Sequence, residues 1–87
     1  MDAPLVAEIE WSLKDGDIKD DFEKLLVATA RAKLMVFQKR TAREVDQTIK
    51  AMEAEIREFR IPSAGQGYLL SGFAIDEARF MHLSVKV

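Results

Sequence analysis

The chain has 87 residues, of which 48% are hydrophobic and 32% are charged, with a formal net charge of -2. The length fits a single small domain, residues 1–87, and the composition excludes a disordered chain. Without cysteine the chain has no disulfide, thiolate zinc site or cysteine nucleophile. We expect a cytoplasmic protein, because no apolar run approaches the roughly 20 residues that cross a membrane and the first residues do not form a secretory signal.

The first half of the chain predicts a strand followed by a helix. Residues 5–13 alternate, and one face is apolar and expected to lie in the core: Leu5, Ala7, Ile9, Trp11 and Leu13. After a turn at Asp15-Gly16, Asp17 is expected to cap a helix that begins at Ile18. The apolar stripe of that helix comprises Ile18, Phe22, Leu25, Leu26 and Thr29.

The second half predicts a strand, a helix and a hairpin. Residues 33–38 contain an unbroken apolar run and predict a buried strand, parallel to the first. Thr41 and Glu44 have the spacing of a capping box, and the helix they open ends before Pro62 and a loop over 63–67. Two strands follow, over 68–74 and 80–87, joined by a turn at 75–79. The predicted fold class is therefore α/β, with the order β-α-β-α-β-β, a mixed sheet and two helices.

Glu8 and Glu10 are the main candidates for chemistry. Residues two apart on a strand point to the same side, so these carboxylates could share Mg²⁺ or Mn²⁺, which prefer oxygen ligands. Lys14 continues the same face and could stabilise developing negative charge, which makes Glu8, Glu10 and Lys14 the candidate catalytic set. The same pattern is also typical of the solvent-exposed face of any half-buried strand.

The stretch from Glu8 to Lys14, the helix that follows it and the strand at 33–37 resemble the core of the restriction-endonuclease-like, or PD-(D/E)XK, nuclease superfamily. Members with a Glu-x-Glu motif followed by an aromatic residue are the most similar. The resemblance implies a metal-dependent phosphodiesterase in which Glu8 is the metal-binding acid. Glu10 stands where the family usually has lysine, and Ile9 between them is expected to face the core.

The same resemblance implies an earlier acid on a preceding strand. Asp2 is too near to Glu8 to take that place, so the expected core lacks the family's N-terminal helix and strand. The nuclease-like activity is then degenerate, or it depends on an acid supplied from elsewhere, by a longer parent chain or by a partner.

Other residues suggest possible partners. Lys39, Arg40 and Arg43, together with Lys33, could contact the phosphates of a nucleic acid, or could be ordinary surface charges. His82, the one histidine, is expected to be structural. The alternative function is a non-enzymatic assembly domain that forms a homo-oligomer by strand pairing or helix packing.

Overall fold

The computed structural model describes residues 3–59 and 66–87, with side chains from residue 5 onward in the first range. The elements within these ranges are four strands and two helices, with a short 3-10 turn over Ile75–Glu77 before the last strand. In chain order they are β1 (Ala3–Glu10), α1 (Asp15–Val27), β2 (Ala30–Lys39), α2 (Ala42–Glu58), β3 (Gly67–Ala74) and β4 (Arg79–Lys86).

The four strands form one mixed sheet in the order β1-β2-β3-β4. β1, β2 and β3 are parallel, and β4 returns antiparallel to β3. The predicted α/β fold, with its order β-α-β-α-β-β, is confirmed. Neither helix in the described part of the chain is long and apolar enough to cross a membrane.

The core lies between the sheet and the two helices. α1 contributes the buried residues Ile18, Phe22, Leu25 and Leu26, and α2 contributes Val45, Ile49, Met52 and Ile56. They pack on one face of the sheet, where the central strands bury Met35, Phe37, Tyr68 and Leu70. Each large apolar side chain buried in this way stabilises the fold by about 1.5–3 kcal/mol.

The start of α1 differs from the prediction. The helix begins at Asp15 rather than Ile18, and Lys14 is its N-cap residue, without a side-chain cap. Asp17 lies in the first turn, where its Oδ2 accepts a hydrogen bond from the Ser12 hydroxyl at 2.7 Å. Because the helix dipole favours a carboxylate anywhere in the first turn, an acid there does not identify the cap position.

The predicted N-cap of α2 at Thr41 is confirmed, but the Glu44 carboxylate accepts from the Thr41 hydroxyl at 3.2 Å and not from the Thr41 backbone N–H that a full capping box uses. Thr41 is the N-cap residue, and its hydroxyl accepts a hydrogen bond from the Glu44 N–H at 3.2 Å. The helix ends at Glu58, and the predicted stop at Pro62 lies outside the described residues. The hairpin is confirmed to within one residue at each end, and its turn uses Ala78 in the left-handed conformation, with φ of 49°.

The prediction of which face of β1 lies in the core is wrong. Leu5 and Ile9 are 56% and 57% exposed, because no helix of the described residues covers their side of β1, and Trp11, which follows the strand directly, is 50% exposed. Val6, Glu8 and Glu10 are instead in register with the buried Lys33, Met35 and Phe37, and so share the helix side of the sheet. Alternation therefore predicted the strand correctly and its core face incorrectly.

Gly72 of β3 lies where α2 approaches the sheet most closely. A Cβ built on Gly72 would stand 2.5 Å from the Val45 Cγ1 and 2.7 Å from the Phe37 Cζ. Both of these side chains are fully buried, so neither can move aside without disturbing the core.

We expect Gly72→Ala to lower the free energy of unfolding by about 1–3 kcal/mol, the usual range for overpacking a core. Urea denaturation followed by circular dichroism measures the change. Gly16→Ala is the matched control, since a Cβ there meets nothing within 4 Å, and alanine favours the helix in which Gly16 lies. Equal stability of Gly72→Ala and the wild type would contradict the close approach.

Candidate metal site at the edge of the sheet

Glu8 and Glu10 lie on the same side of β1, as predicted, and both are partly exposed. β1 is an edge strand in the described part of the chain, pairing with β2 alone. The two carboxylates therefore occupy the border of the helix-covered face, next to α1, rather than the middle of the sheet.

Glu10 is surrounded by other acids. A hydrogen bond with the side chain of Asp21 is the main cause that raises the pKa of Glu10 above its usual value of 4.5. Partial burial and the charges of Asp21 and Asp17 raise this pKa further, while the Ser12 N–H, which donates to the Glu10 Oε1 at 3.2 Å, lowers it. Crowding among carboxylates thus makes the ionised form of Glu10 less favourable than it is in water.

A cation beside these acids is Lys24 of α1, which the sequence did not single out. The Lys24 ammonium donates to the Asp21 Oδ1 at 3.2 Å, and this contact chiefly raises the pKa of Lys24, with a smaller effect from the charge of Glu8. Lys14 is exposed at the N-cap of α1, and its N–H donates to the Ser12 hydroxyl. We call Glu8, Glu10, Asp17, Asp21 and Lys24 the acidic edge cluster.

The donor atoms of the cluster are carboxylate oxygens, which suit Mg²⁺ and Mn²⁺. Within residues 5–59 and 66–87, however, no three carboxylate or imidazole side chains converge closely enough to hold a metal by themselves. A separate groove of about 360 Å³ lies between α1 and α2, over Phe22 and Met52, and neither Glu8 nor Glu10 lines it.

The proposed basic cluster does not form as predicted, because two of its four members are buried. Lys39 is 6% exposed, and its ammonium contacts the Asp15 carboxylate, so it is not available to a phosphate. Arg40 and Arg43 are exposed at the start of α2. They follow the carboxyl end of β2, at the same end of the sheet as the residues that follow Glu10.

Lys33 is 2% exposed, and its interpretation as a surface charge is wrong. Its ammonium donates to the Leu26 carbonyl at 3.0 Å and to the Tyr68 hydroxyl at 3.1 Å, and it lies 5.1 Å from the centre of the Tyr68 ring. Burial lowers the pKa of Lys33 below its usual 10.5. The methylene groups of this lysine pack in the core like an apolar side chain, while its ammonium donates a hydrogen bond to a backbone carbonyl in the last turn of α1.

Because the folded-state pKa of Lys33 is lowered, its protonated form destabilises the fold relative to the neutral form. Its favourable contribution is present in full above pH 10.5 and is lost as the pH falls through the folded-state pKa. We therefore expect the free energy of unfolding of the wild type to rise relative to that of Lys33→Met between pH 7 and 10. Urea denaturation across this range measures it, with Lys19→Met as the control for loss of a lysine. A pH-independent difference would contradict the lowered pKa.

His82 is exposed on β4, and its Nδ1 lies 2.8 Å from the hydroxyl of Ser71 on the neighbouring strand. The His82 ring also stacks on Phe80, with centroids 5.9 Å apart. These contacts agree with the predicted structural role.

Sequence reasoning missed Asp21 and Lys24 as members of the site. Asp17, Asp21 and Lys24 stand at i, i+4 and i+7, so they form one polar stripe that borders the apolar stripe of α1. That spacing is visible in the sequence. Which side of α1 borders Glu8 and Glu10 depends on how the helix packs on the sheet.

No protein-family model matches this chain, and no match was found among curated proteins or solved structures. The fold and the residues of the site are therefore the basis for assigning a function.

The raised pKa of Glu10 yields a stability prediction. A carboxyl whose folded-state pKa is raised stabilises the fold fully only below its unfolded pKa and loses this contribution as the pH rises through the folded-state value. We expect Glu10→Gln to be more stable than the wild type at pH 7, because the amide removes a charge from the cluster and still accepts the Ser12 hydrogen bond. Urea denaturation should show this difference disappearing below about pH 4.

Glu58→Gln, which changes an exposed glutamate of α2 far along the chain, is the matched control. An equal gain in the control, or a gain from Glu10→Gln that persists in acid, would show that the crowded carboxylates are not its cause.

Proposed function

We propose that this chain is a nuclease-like domain whose acidic edge cluster binds Mg²⁺ or Mn²⁺, with a further ligand supplied from outside the described residues. The observation that supports this proposal is that Asp21 of α1 lies close enough to Glu10 of β1 to raise the pKa of Glu10, while Glu8 lies on the same side of the strand as Glu10. Like charges crowded at one edge cost stability, and a divalent cation would offset their repulsion.

The residue types fit the proposed metal. Glu10 and Asp21, or Glu10 and its strand neighbour Glu8, would hold the ion, since each offers a hard oxygen donor. A bound divalent ion would lower the pKa of a coordinated water and neutralise charge on a phosphodiester. The further ligand is needed because no complete set of three converges among the described residues.

The cation of the cluster has a defined part in this proposal. Lys24 is held protonated by Asp21, so its ammonium can stabilise negative charge that develops on a phosphate oxygen. Arg40 and Arg43, exposed at the end of the sheet where β1 also finishes, are suited to the flanking phosphates of DNA or RNA. The proposal extends the resemblance to the PD-(D/E)XK nucleases, with Lys24 taking the role expected of Lys14.

Titration calorimetry with MnCl₂ and MgCl₂ tests the metal site. We expect the wild type to bind Mn²⁺ weakly, with a dissociation constant of about 0.1–1 mM, the weak end of the range for cation sites built from oxygen ligands. The double variant Glu8→Ala/Glu10→Ala should lose this signal. The double variant Glu55→Ala/Glu58→Ala, which removes the same charge from α2, should retain it.

Absence of binding by the wild type at millimolar metal, or equal loss in both double variants, would contradict the site. If only Glu8→Ala/Glu10→Ala loses Mn²⁺ binding, hydrolysis is tested next. The assays measure nicking of plasmid DNA and cleavage of single-stranded substrates in the presence of Mn²⁺. Lys24→Met should retain metal binding and abolish any cleavage, which separates the role of the ammonium from that of the carboxylates.

A further inference from the structure

One whole face of the sheet has no helix packed on it within the described residues. Both helices pack on the opposite face, and β4 follows β3 without an intervening helix. We call the uncovered surface the open face. Its strand side chains are Leu5, Ala7, Ile9, Ala32, Leu34, Val36, Gln38, Leu69, Ser71, Phe73, Phe80, His82, Ser84 and Lys86. Trp11, directly after β1, adjoins this face, because its carbonyl accepts a hydrogen bond from the Gln38 side chain.

The open face is apolar and carries no carboxylate among these side chains, although the chain has 15 acidic residues. Leu5, Ile9, Trp11 and Phe80 are each 46–57% exposed, and Leu69 is 39% exposed. Monomeric proteins rarely leave a contiguous apolar surface of more than a few hundred Å² in contact with water. Exposure on this scale indicates a surface that is covered in the working protein.

Three polar side chains of the open face, Ser71, His82 and Gln38, already make hydrogen bonds within the chain. The Ser71 hydroxyl and the His82 ring share a hydrogen bond, and the Gln38 amide donates to the Trp11 carbonyl. A covering surface therefore need not supply hydrogen-bonding partners for these groups. Lys86, at the border of the face on β4, is its one permanently charged side chain.

The size of the open face matches a stable interface. Four strands at about 4.8 Å spacing and eight residues at about 3.3 Å each give a footprint of roughly 19 by 26 Å. With the relief of its side chains, such a surface approaches the roughly 800 Å² per partner that standard interfaces bury. Two such faces can pack about 10 Å apart, as the sheets of a β-sandwich do.

We propose that a second copy of this chain covers the open face, so that two sheets pack face to face in an isologous dimer. A surface that is apolar and almost uncharged, and whose Ser71, His82 and Gln38 already make hydrogen bonds, is complementary to itself, because bringing two copies together opposes no strong charges. The dimer buries Ile9 and Trp11 of both protomers and leaves the helix layers on its two outer surfaces.

Light scattering coupled to size-exclusion chromatography, and analytical ultracentrifugation from micromolar to millimolar protein, test the proposal. The wild type should have twice the 9.9 kDa mass of the chain. Ile9→Glu should weaken the dimer by at least about 100-fold, because an isologous interface buries the new carboxylate twice. Val27→Glu is the matched control, since Val27 is 63% exposed at the end of α1, away from the open face, and this variant should remain dimeric.

Trp11 reports on the same face, because it is the one tryptophan of the chain and is half exposed. Its fluorescence should shift to shorter wavelength as the wild type dimerises, and this shift should be absent from Ile9→Glu. Phe80→Glu, at the opposite border of the open face, provides a second variant should Ile9→Glu fail to fold by circular dichroism.

A wild type that stays monomeric at millimolar concentration would overturn the proposal, and would leave another protein or another segment as the occupant of the face. A dimer that survives both Ile9→Glu and Phe80→Glu would overturn it too, by placing the interface elsewhere. These outcomes are independent of metal binding, so the dimer and the acidic edge cluster are tested separately.

Discussion

The two parallel connections of this fold, through α1 and through α2, step in the same direction across the sheet. Because such connections are right-handed, both helices must lie on the same side of the sheet. This constraint organises the rest of the molecule. It places the core between the helices and one sheet face, leaves the other face open, and turns Glu8 and Glu10 toward α1.

The elements of this fold could be predicted from the sequence, and the sidedness of β1 could not. Alternation over 5–13, the capping box at Thr41 and the apolar run in β2 are local signals, and each identified its element. Which of the two faces of a strand lies in the core depends on how the whole sheet packs against its helices. The ordinary assumption that apolar residues face the core therefore failed for Leu5, Ile9 and Trp11, which lie on a broad apolar surface outside it.

The candidate site was predictable to the same extent. The spacing of Glu8 and Glu10 places them side by side on any strand, so that part follows from the chain alone. Asp21 and Lys24 lie near Glu8 and Glu10 because α1 packs beside β1. Lys33 is not part of the expected basic cluster, because its ammonium is buried and donates hydrogen bonds to the Leu26 carbonyl and the Tyr68 hydroxyl. Long charged side chains can be buried by their stems, which sequence patterns do not reveal.

The acidic edge cluster and the open face lie on opposite sides of β1, and this separation limits how they can cooperate. A second copy packed on the open face would neither cover Glu8 and Glu10 nor approach them, because their side chains point to the helix side. Dimerisation alone would therefore not complete the metal site. A strand added at the edge of β1 that no described strand occupies would place a side chain on the same face as Glu8 and Glu10, and so supply the missing carboxylate. The two proposals thus make different demands on the same strand, one on its open face and the other on its free edge.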